Sequence, residues 1–161
     1  ADSDADSDAD SDADSDADAD ADTDPVGSPV SINEIMPWSE AGDDWIEIYN
    51  SSGASVTMSG WLITNAFGQQ DAEYYALPDG TAIASGGFLL LWANGLADGL
   101  QTNFELDPAG GTITLLVDMT TVVNQVEYPA LEAEHSYARV PDGGEKLVDT
   151  ANPTPEAANL E

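Results

Sequence analysis

Short apolar runs of four to seven residues, separated by turn-forming residues, constrain the fold of this chain most strongly. No segment of helical length shows a sustained apolar repeat of 3.6 residues, so the sequence predicts almost no helix. Glycine, proline, asparagine and aspartate punctuate the runs, as expected for turns between strands. The predicted strands cover residues 30–36, 45–49, 61–64, 73–77, 88–92, 112–117 and 122–128. Seven short strands at this spacing indicate an all-β sandwich or barrel.

The segment DWIEIYN, residues 44–50, shows how the alternation separates the two faces of a strand. Ile46 and Ile48 share one face, which we expect to pack in the core, whereas Trp45, Glu47 and Tyr49 share the other, which we expect to face outward. Asp44 and Glu47 lie three residues apart and therefore on opposite faces. A catalytic carboxylate pair must point at one bond, so the alternation argues against that role.

The first 24 residues repeat ADSD-like units with aspartate at every even position, and PVGSP follows at 25–29. Nothing in the repeat offsets the entropy of ordering its backbone, so the sequence predicts a disordered tail and linker at 1–29 and a domain at 30–159. An EF-hand loop would need a glycine at its sixth position and a glutamate at its twelfth, and the repeat has neither. Loose condensation of cations along it is the alternative. Such repeats resemble the stalks of bacterial surface proteins.

The charge of the chain excludes several classes of partner. The net charge is −30, and 20 of the 32 acids lie outside the repeat, against only Lys146 and Arg139. Nucleic-acid affinity and docking on anionic lipid both depend on clusters of basic residues, so neither is expected. Calcium, cationic polymers or a high-salt environment suit the charge better.

Cysteine is absent, and no apolar run approaches the roughly 18 residues of a membrane span. The chain begins at Ala1 without methionine, which suggests a mature or trimmed form.

A series of motifs in a fixed order points to a known family. The series comprises SINEIMP, DWIEIYN, VTMSGWLITN, LPDGTAIASGGFLLLWAN, LQTNFELDPAGGTITLL and VVNQVEYP, followed by SYARVPDGG and TPEAAN. Their colinear order between Ser31 and Asn159 resembles the bacterial branch of the lamin tail domain family.

That resemblance implies an immunoglobulin-like β-sandwich without a family-wide catalytic residue. Trp61, the aliphatic residues of GGFLLLW and the Asn103-Phe104 pair match positions that pack the core or close a turn, and residues 141–143 match a family turn. Such domains resemble accessory modules on secreted or surface-anchored bacterial proteins. Relatives in nuclear lamins contact proteins and chromatin, but the basic surface that would favour DNA is missing here.

Individual residues offer few candidates for catalysis. His135 is the only histidine, and its neighbour Ser136 is badly placed for a nucleophile–base pair. Ser51 and Ser85 could approach it in space, but nothing in the sequence marks them. We therefore expect His135 to be a surface turn residue. One histidine without cysteine also argues against zinc.

Calcium is the metal that deserves a specific hypothesis, because it needs only oxygen ligands. Asp43 and Asp44 precede a predicted strand and could form a site with Glu34 or Asn33. The alternative is that adjacent loop acids are simply solvated.

The aromatic residues suggest a second kind of site. The tryptophans could stack on sugar rings together with three tyrosines, namely Tyr49, Tyr74 and Tyr75. We expect Trp61 and Trp92 to fill the core. Trp38, after a proline, and Trp45, on the face opposite the isoleucines, are the expected exposed pair.

The sequence thus predicts a non-enzymatic extracellular or cell-surface module on an acidic stalk, which binds protein or carbohydrate or serves as a spacer. No catalytic, cofactor-binding or metal-binding residue is assigned, and the isolated domain is expected to be monomeric, with lipid anchoring possible in a longer native protein. The alternative is a calcium-dependent adhesion or stability domain. A hydrolase would need converging acids, which strand alternation does not provide.

Overall fold

A computed structural model describes residues 28–40 and 42–160 of the chain. The tail and linker predicted at 1–29 lie outside these residues except for Ser28 and Pro29. The domain predicted at 30–159 falls within them apart from Ala41.

Eleven β-strands form the framework of the described residues. They are β1 Val30–Met36, β2 Asp44–Asn50, β3 Val56–Thr57, β4 Leu62–Thr64, β5 Tyr75–Ala76, β6 Ala82–Ile83, β7 Phe88–Ala93, β8 Gly111–Asp118, β9 Thr121–Tyr128, β10 Ser136–Arg139 and β11 Leu147–Thr150. Each of the seven predicted runs contains a strand. The described residues include no helix, and therefore none capable of crossing a bilayer.

The strands build two main antiparallel sheets and one small ribbon. The larger sheet has the order β11-β10-β1-β2-β7, the second has the order β5-β4-β8-β9, and β3 pairs with β6. Side chains from the inner faces of both main sheets belong to one hydrophobic core. The predicted immunoglobulin-like β-sandwich is confirmed.

Period-two alternation decides which side chains enter that core. Ile46 and Ile48 of β2 are fully buried there, as predicted, and they meet Ile63, Ile113 and Leu115 of the opposite sheet. Burying each such side chain contributes roughly 1.5–3 kcal/mol relative to leaving it in water. The alternation therefore fixes the inner face of the sandwich.

The outer face of the larger sheet departs from simple alternation at Asn33. A β-bulge there shifts the register of β1 against β2: Ile32 lies opposite Ile48, but the next aligned pair is Glu34 with Glu47. A bulge adds one residue to a strand and re-aims the side chains that follow it. It makes the two glutamates direct cross-strand neighbours on the side facing away from the core.

The prediction that Glu47 faces outward into solvent was wrong, because both Glu47 and Glu34 are fully buried. The alternation placed Glu47 on the correct face, but that face is covered. Residues 151–160, here called the C-terminal strap, cross it, and the backbone N–H groups of Thr154 and Glu156 donate to Glu34 and Glu47.

Strands β10 and β11 complete the larger sheet and were not among the predicted strands. Residues Ser136–Arg139 pair with β1 on one side and with β11 on the other. Both strands have only four residues and mix polar with apolar side chains. A pattern this short is too weak to distinguish a strand from a loop.

Candidate functional site

Three acidic side chains accept hydrogen bonds from the C-terminal strap. Glu34 comes from β1, Glu47 from β2 and Asp142 from the turn after β10, and together they are called the carboxylate cluster. Asn33 links its members, since its Nδ2 atom donates to Oε1 of Glu47 over 3.1 Å and to Oδ1 of Asp142 over 3.0 Å. The bulge at Asn33 thus both aligns the two glutamates and supplies the side chain that joins two of the carboxylates.

A hydrogen bond from a backbone N–H to the side chain of Asn33 holds the turn after β10 against β1. The N–H of Gly143 donates to Oδ1 of Asn33 over 3.0 Å. Gly143 has a φ of +66°, and a Cβ atom there would lie 3.0 Å from Cδ1 of Tyr49. Only glycine combines that backbone conformation with so close an approach at no steric cost. The residue therefore lets the turn bring Asp142 up to the sheet.

The strap binds each member of the carboxylate cluster through a backbone N–H. The N–H of Thr154 donates to Oε1 of Glu34 over 3.2 Å. The N–H of Glu156 donates to Oε2 of Glu47. The N–H of Asn159 donates to Oδ1 of Asp142 over 3.0 Å. The side chain of Asn159 adds a bond of 2.9 Å to the carbonyl of Arg139. The outer face of β1 and β2 is in this way closed by an extended segment.

Burial dominates the electrostatics of the cluster. The pKa of Glu47 is raised from 4.5 to about 7: burial is the largest cause, the charges of Glu34 and Asp142 add to it, and hydrogen bonds from Asn33 and the N–H of Glu156 oppose it. Burial likewise raises the pKa of Glu34, against hydrogen bonds from Ser136 and Thr154 that lower it. Two like charges directly across a strand pair are destabilising, so the site favours uptake of a proton.

Asp44 and Glu47 stay apart, as predicted, but the bulge brings Glu34 and Glu47 together, which strand alternation alone did not predict. Asp44 accepts a bond from the N–H of Ser39 and lies near Glu105, on the opposite face of β2 from Glu47. The carboxylates that do meet, Glu34 and Glu47, have their oxygens occupied by donors of the protein itself. In this arrangement the two carboxylates hold a segment of the chain itself.

The four proposed calcium ligands fall into two separate places. Asp43 accepts a bond of 2.9 Å from Nδ2 of Asn94, and Asp44 lies beside it. Asn33 and Glu34 belong instead to the region of the carboxylate cluster. Within residues 28–40 and 42–160, no three acidic or histidine side chains are grouped so that they could hold a metal ion.

His135 lies just before β10, and its Nδ1 atom is 2.7 Å from Oδ1 of the exposed Asp149 on β11. The hydroxyl of Ser136 points away from it and donates to Glu34 over 2.5 Å. Ser51 and Ser85 donate to the backbone carbonyls of Pro29 and Ser52. The structure brings none of these serines into a hydrogen bond with the histidine.

Two of the four tryptophans differ from their predicted exposure. Trp38 is 46% exposed, as predicted, and Trp61 packs against the core. Trp45, expected to be exposed, is only 5% exposed, whereas Trp92, expected in the core, is 39% exposed. The two are cross-strand partners on the outer face, but β2 lies inside the sheet and β7 is its edge, so only Trp45 has a strand on each side.

An exposed apolar surface surrounds Trp92. The Trp92 surface consists of Trp92 and Leu100, which line one cavity, and of the exposed Leu96 in the loop that joins them. Residues after β7 fold back on its edge: the N–H of Trp92 donates to Leu100 over 2.9 Å, and the N–H of Thr102 donates to Trp92 over 2.8 Å. These bonds hold Leu100 beside the indole. They also occupy part of an edge that would otherwise pair with other chains.

Two shallow cavities meet at this surface. One of about 510 Å³ is lined by Asp43, Trp92 and Leu100 among others, and one of about 430 Å³ is lined by Asp79, Leu89 and Leu100 among others. Acidic residues therefore border both sides of the apolar patch. Exposed tryptophan beside carboxylates favours a ligand that combines apolar surface with positive charge.

Comparison with known proteins places the chain in a family. None of the curated proteins compared with the chain matches it significantly. The model of the Lamin Tail Domain matches residues 23–130, which is more than half of the 161 residues. The match runs through β9, whereas β10, β11 and the C-terminal strap follow it. The family match and the antiparallel sandwich of the chain agree. The chain therefore belongs to the lamin tail domain family, a family of β-sandwich binding or structural modules.

Proposed function

We propose that this domain is a non-enzymatic, extracellular or cell-surface module that binds a basic protein segment on its Trp92 surface. The observation that supports the proposal is the exposed tryptophan on a sheet edge, flanked by leucines and bordered by acids. Aromatic anchors of this kind dominate the energetics of protein interfaces. The acidic repeat at 1–24 would serve as the stalk that displays the module.

The charge of the chain favours a basic protein over a neutral sugar as the ligand. Arginine or lysine can stack on the indole of Trp92 while Asp43 and Asp79, which line the two cavities, attract the charge. A sugar would stack on the same ring and donate hydroxyl hydrogen bonds to these acids, but it would leave their negative charge uncompensated. The only two basic residues in the chain are Lys146 and Arg139, so a nucleic acid is disfavoured as a partner.

A matched pair of tryptophan variants tests this function. The affinity of the full chain for an arginine-rich peptide is measured by calorimetry in the wild type, Trp92→Ala and Trp38→Ala. Loss of a central aromatic anchor costs about 2 kcal/mol, roughly a thirtyfold loss of affinity, so Trp92→Ala should weaken binding that much. Trp38 is also exposed but lines neither cavity, so its replacement should change the affinity less than about twofold.

Binding of the peptide to the aspartate repeat is common to all three proteins and cancels in the comparison. Equal affinities for the two variants would contradict the proposal. A neutral oligosaccharide whose binding depends on Trp92, in the absence of peptide binding, would replace the basic ligand with a sugar.

A further inference from the structure

The C-terminal strap depends unusually heavily on the carboxylate cluster for its position. Backbone N–H groups of three strap residues each donate to a different carboxylate, those of Glu34, Glu47 and Asp142. Most strap side chains are exposed, and only Pro153, Thr154 and Asn159 are half-buried. The strap therefore has little apolar burial to hold it, and its bonds to the carboxylates and to the carbonyl of Arg139 keep it in place.

We propose that the C-terminal strap is a proton-dependent latch, docked on the outer face of β1 and β2 in mildly acidic solution and released as the buried Glu34 and Glu47 ionise. The docked strap covers Glu34 and Glu47, which are fully buried. Undocking admits water to both carboxylates and removes the cost of charging them in a buried site.

The groups facing the cluster come from every neighbouring element. Asp142 adds a negative charge from the turn after β10, and Ser136 donates to Glu34 from β10. On β7, the apolar Leu90 lies opposite Glu47. The guanidinium of Arg139 donates to the carbonyls of Ile32 and Gly144 and to Oδ1 of Asn124. The side chain of Glu156 on the strap is exposed.

The sign of the effect follows from the direction of the pKa shifts. Burial raises the pKa of both glutamates in the docked state, that of Glu47 to about 7. When the strap is released, hydration returns both pKa values toward 4.5. Docking is then strongest below pH 4.5 and is lost as the pH rises through about 7. Release would open the outer face next to Leu90 and so extend the accessible surface along β7 from Trp92.

Amide hydrogen exchange of the full chain tests the latch. The probes are the protection factors of the amides of Thr154, Glu156 and Asn159 between pH 5 and pH 8, corrected for the intrinsic pH dependence of exchange. One pKa unit corresponds to a factor of ten. In the wild type, the protection factors of these strap amides should fall by about tenfold to a hundredfold between pH 5 and pH 8. The protection factors of core amides such as Leu115 should remain higher than those of the strap at each pH.

Two glutamine variants and one matched control assign the effect. In Glu47→Gln the fall in strap protection between pH 5 and pH 8 should shrink to the part that Glu34 contributes. In the double variant with Glu34→Gln this fall should vanish, even if the strap amides are less protected at every pH. Glu127→Gln, at an exposed glutamate on β9, should behave as the wild type. Strap protection that is constant with pH in the wild type overturns the latch, as does a fall of equal size in Glu47→Gln or one that the core amides share.

Discussion

At the scale of single residues, Glu47 shows what alternation can and cannot predict. Its position in DWIEIYN fixed the face on which it lies, and the isoleucines beside it entered the core as predicted. Alternation says nothing about what covers the other face. Residues more than 100 positions later do so, and no local pattern encodes that contact.

Glu47 gives the first prediction at this scale, because its raised pKa links stability to pH. The free energy of unfolding should be highest below pH 4.5 and should fall as the pH rises through about 7. A rise of the pKa from 4.5 to about 7 corresponds to about 3 kcal/mol. In Glu47→Gln that part of the fall should disappear, although one of the donors Asn33 and Glu156 would lose its acceptor and lower the overall stability. Urea unfolding at pH 4.5, 6 and 8 measures both effects.

The control for that measurement is Glu127→Gln, which removes one charge from an exposed position. It should keep the wild-type pH profile. A profile in Glu47→Gln as steep as that of the wild type would show that the buried carboxylate is not its source.

Trp45 and Trp92 make the same point for aromatic residues. The sequence predicted that Trp92 fills the core and that Trp45 is exposed, but the two lie opposite each other on the same face of the sheet. Strand order decides between them, because an interior strand has neighbours on both sides and an edge strand has one. Strand order depends on long-range pairing, which a local pattern does not contain.

At the scale of elements, the long alternating strands were predicted and the short polar ones were not. Strand β1 was predicted with its observed bounds, Val30–Met36. Strands β10 and β11 have four residues each and are stabilised by pairing with β1 and with each other. The motifs SYARVPDGG and TPEAAN in this region were noted through family resemblance, which marked them as part of the domain without revealing the strands or the strap.

The bulge in β1 gives the prediction at this scale. Asn33→Ala removes the bonds that its side chain makes to Glu47, Asp142 and the N–H of Gly143. Leaving buried polar groups without a partner costs about 1–3 kcal/mol each, so the variant should lose about 2–4 kcal/mol of unfolding free energy after partial rehydration. Denaturant unfolding at fixed pH measures the loss.

Asn65→Ala is the comparison for the bulge. Asn65 is exposed, and its side chain makes one long bond of 3.4 Å to the carbonyl of Glu105. This variant should change stability by less than about 0.5 kcal/mol. Similar losses in both variants would mean that the bonds of Asn33 do not hold the bulge and the turn together.

At the scale of the whole molecule, charge dominates. A chain of net charge −30 repels itself, and this repulsion weakens as the screening length shrinks from about 8 Å at physiological salt to about 3 Å at 1 M. The melting temperature should therefore rise with sodium chloride. The acidic composition was read directly from the sequence, and its consequence for stability needs no knowledge of the fold.

Calcium gives a second prediction at this scale. No metal-binding group of acids is formed within the described residues, so calcium should raise the melting temperature only through general screening. Calorimetric scans with calcium and with magnesium at equal millimolar concentration should then coincide. A rise specific to calcium would support the calcium-dependent adhesion or stability domain instead.

The most direct test of the binding module is a map of where its ligand lies. The labelled full chain is titrated with an arginine-rich peptide while amide and indole signals are followed by nuclear magnetic resonance. The account predicts that, beyond shifts in the aspartate repeat, the largest changes fall on the indole of Trp92 and on Leu96 and Leu100, and that they vanish in Trp92→Ala. Changes confined to the repeat, or centred on Trp38, would contradict it.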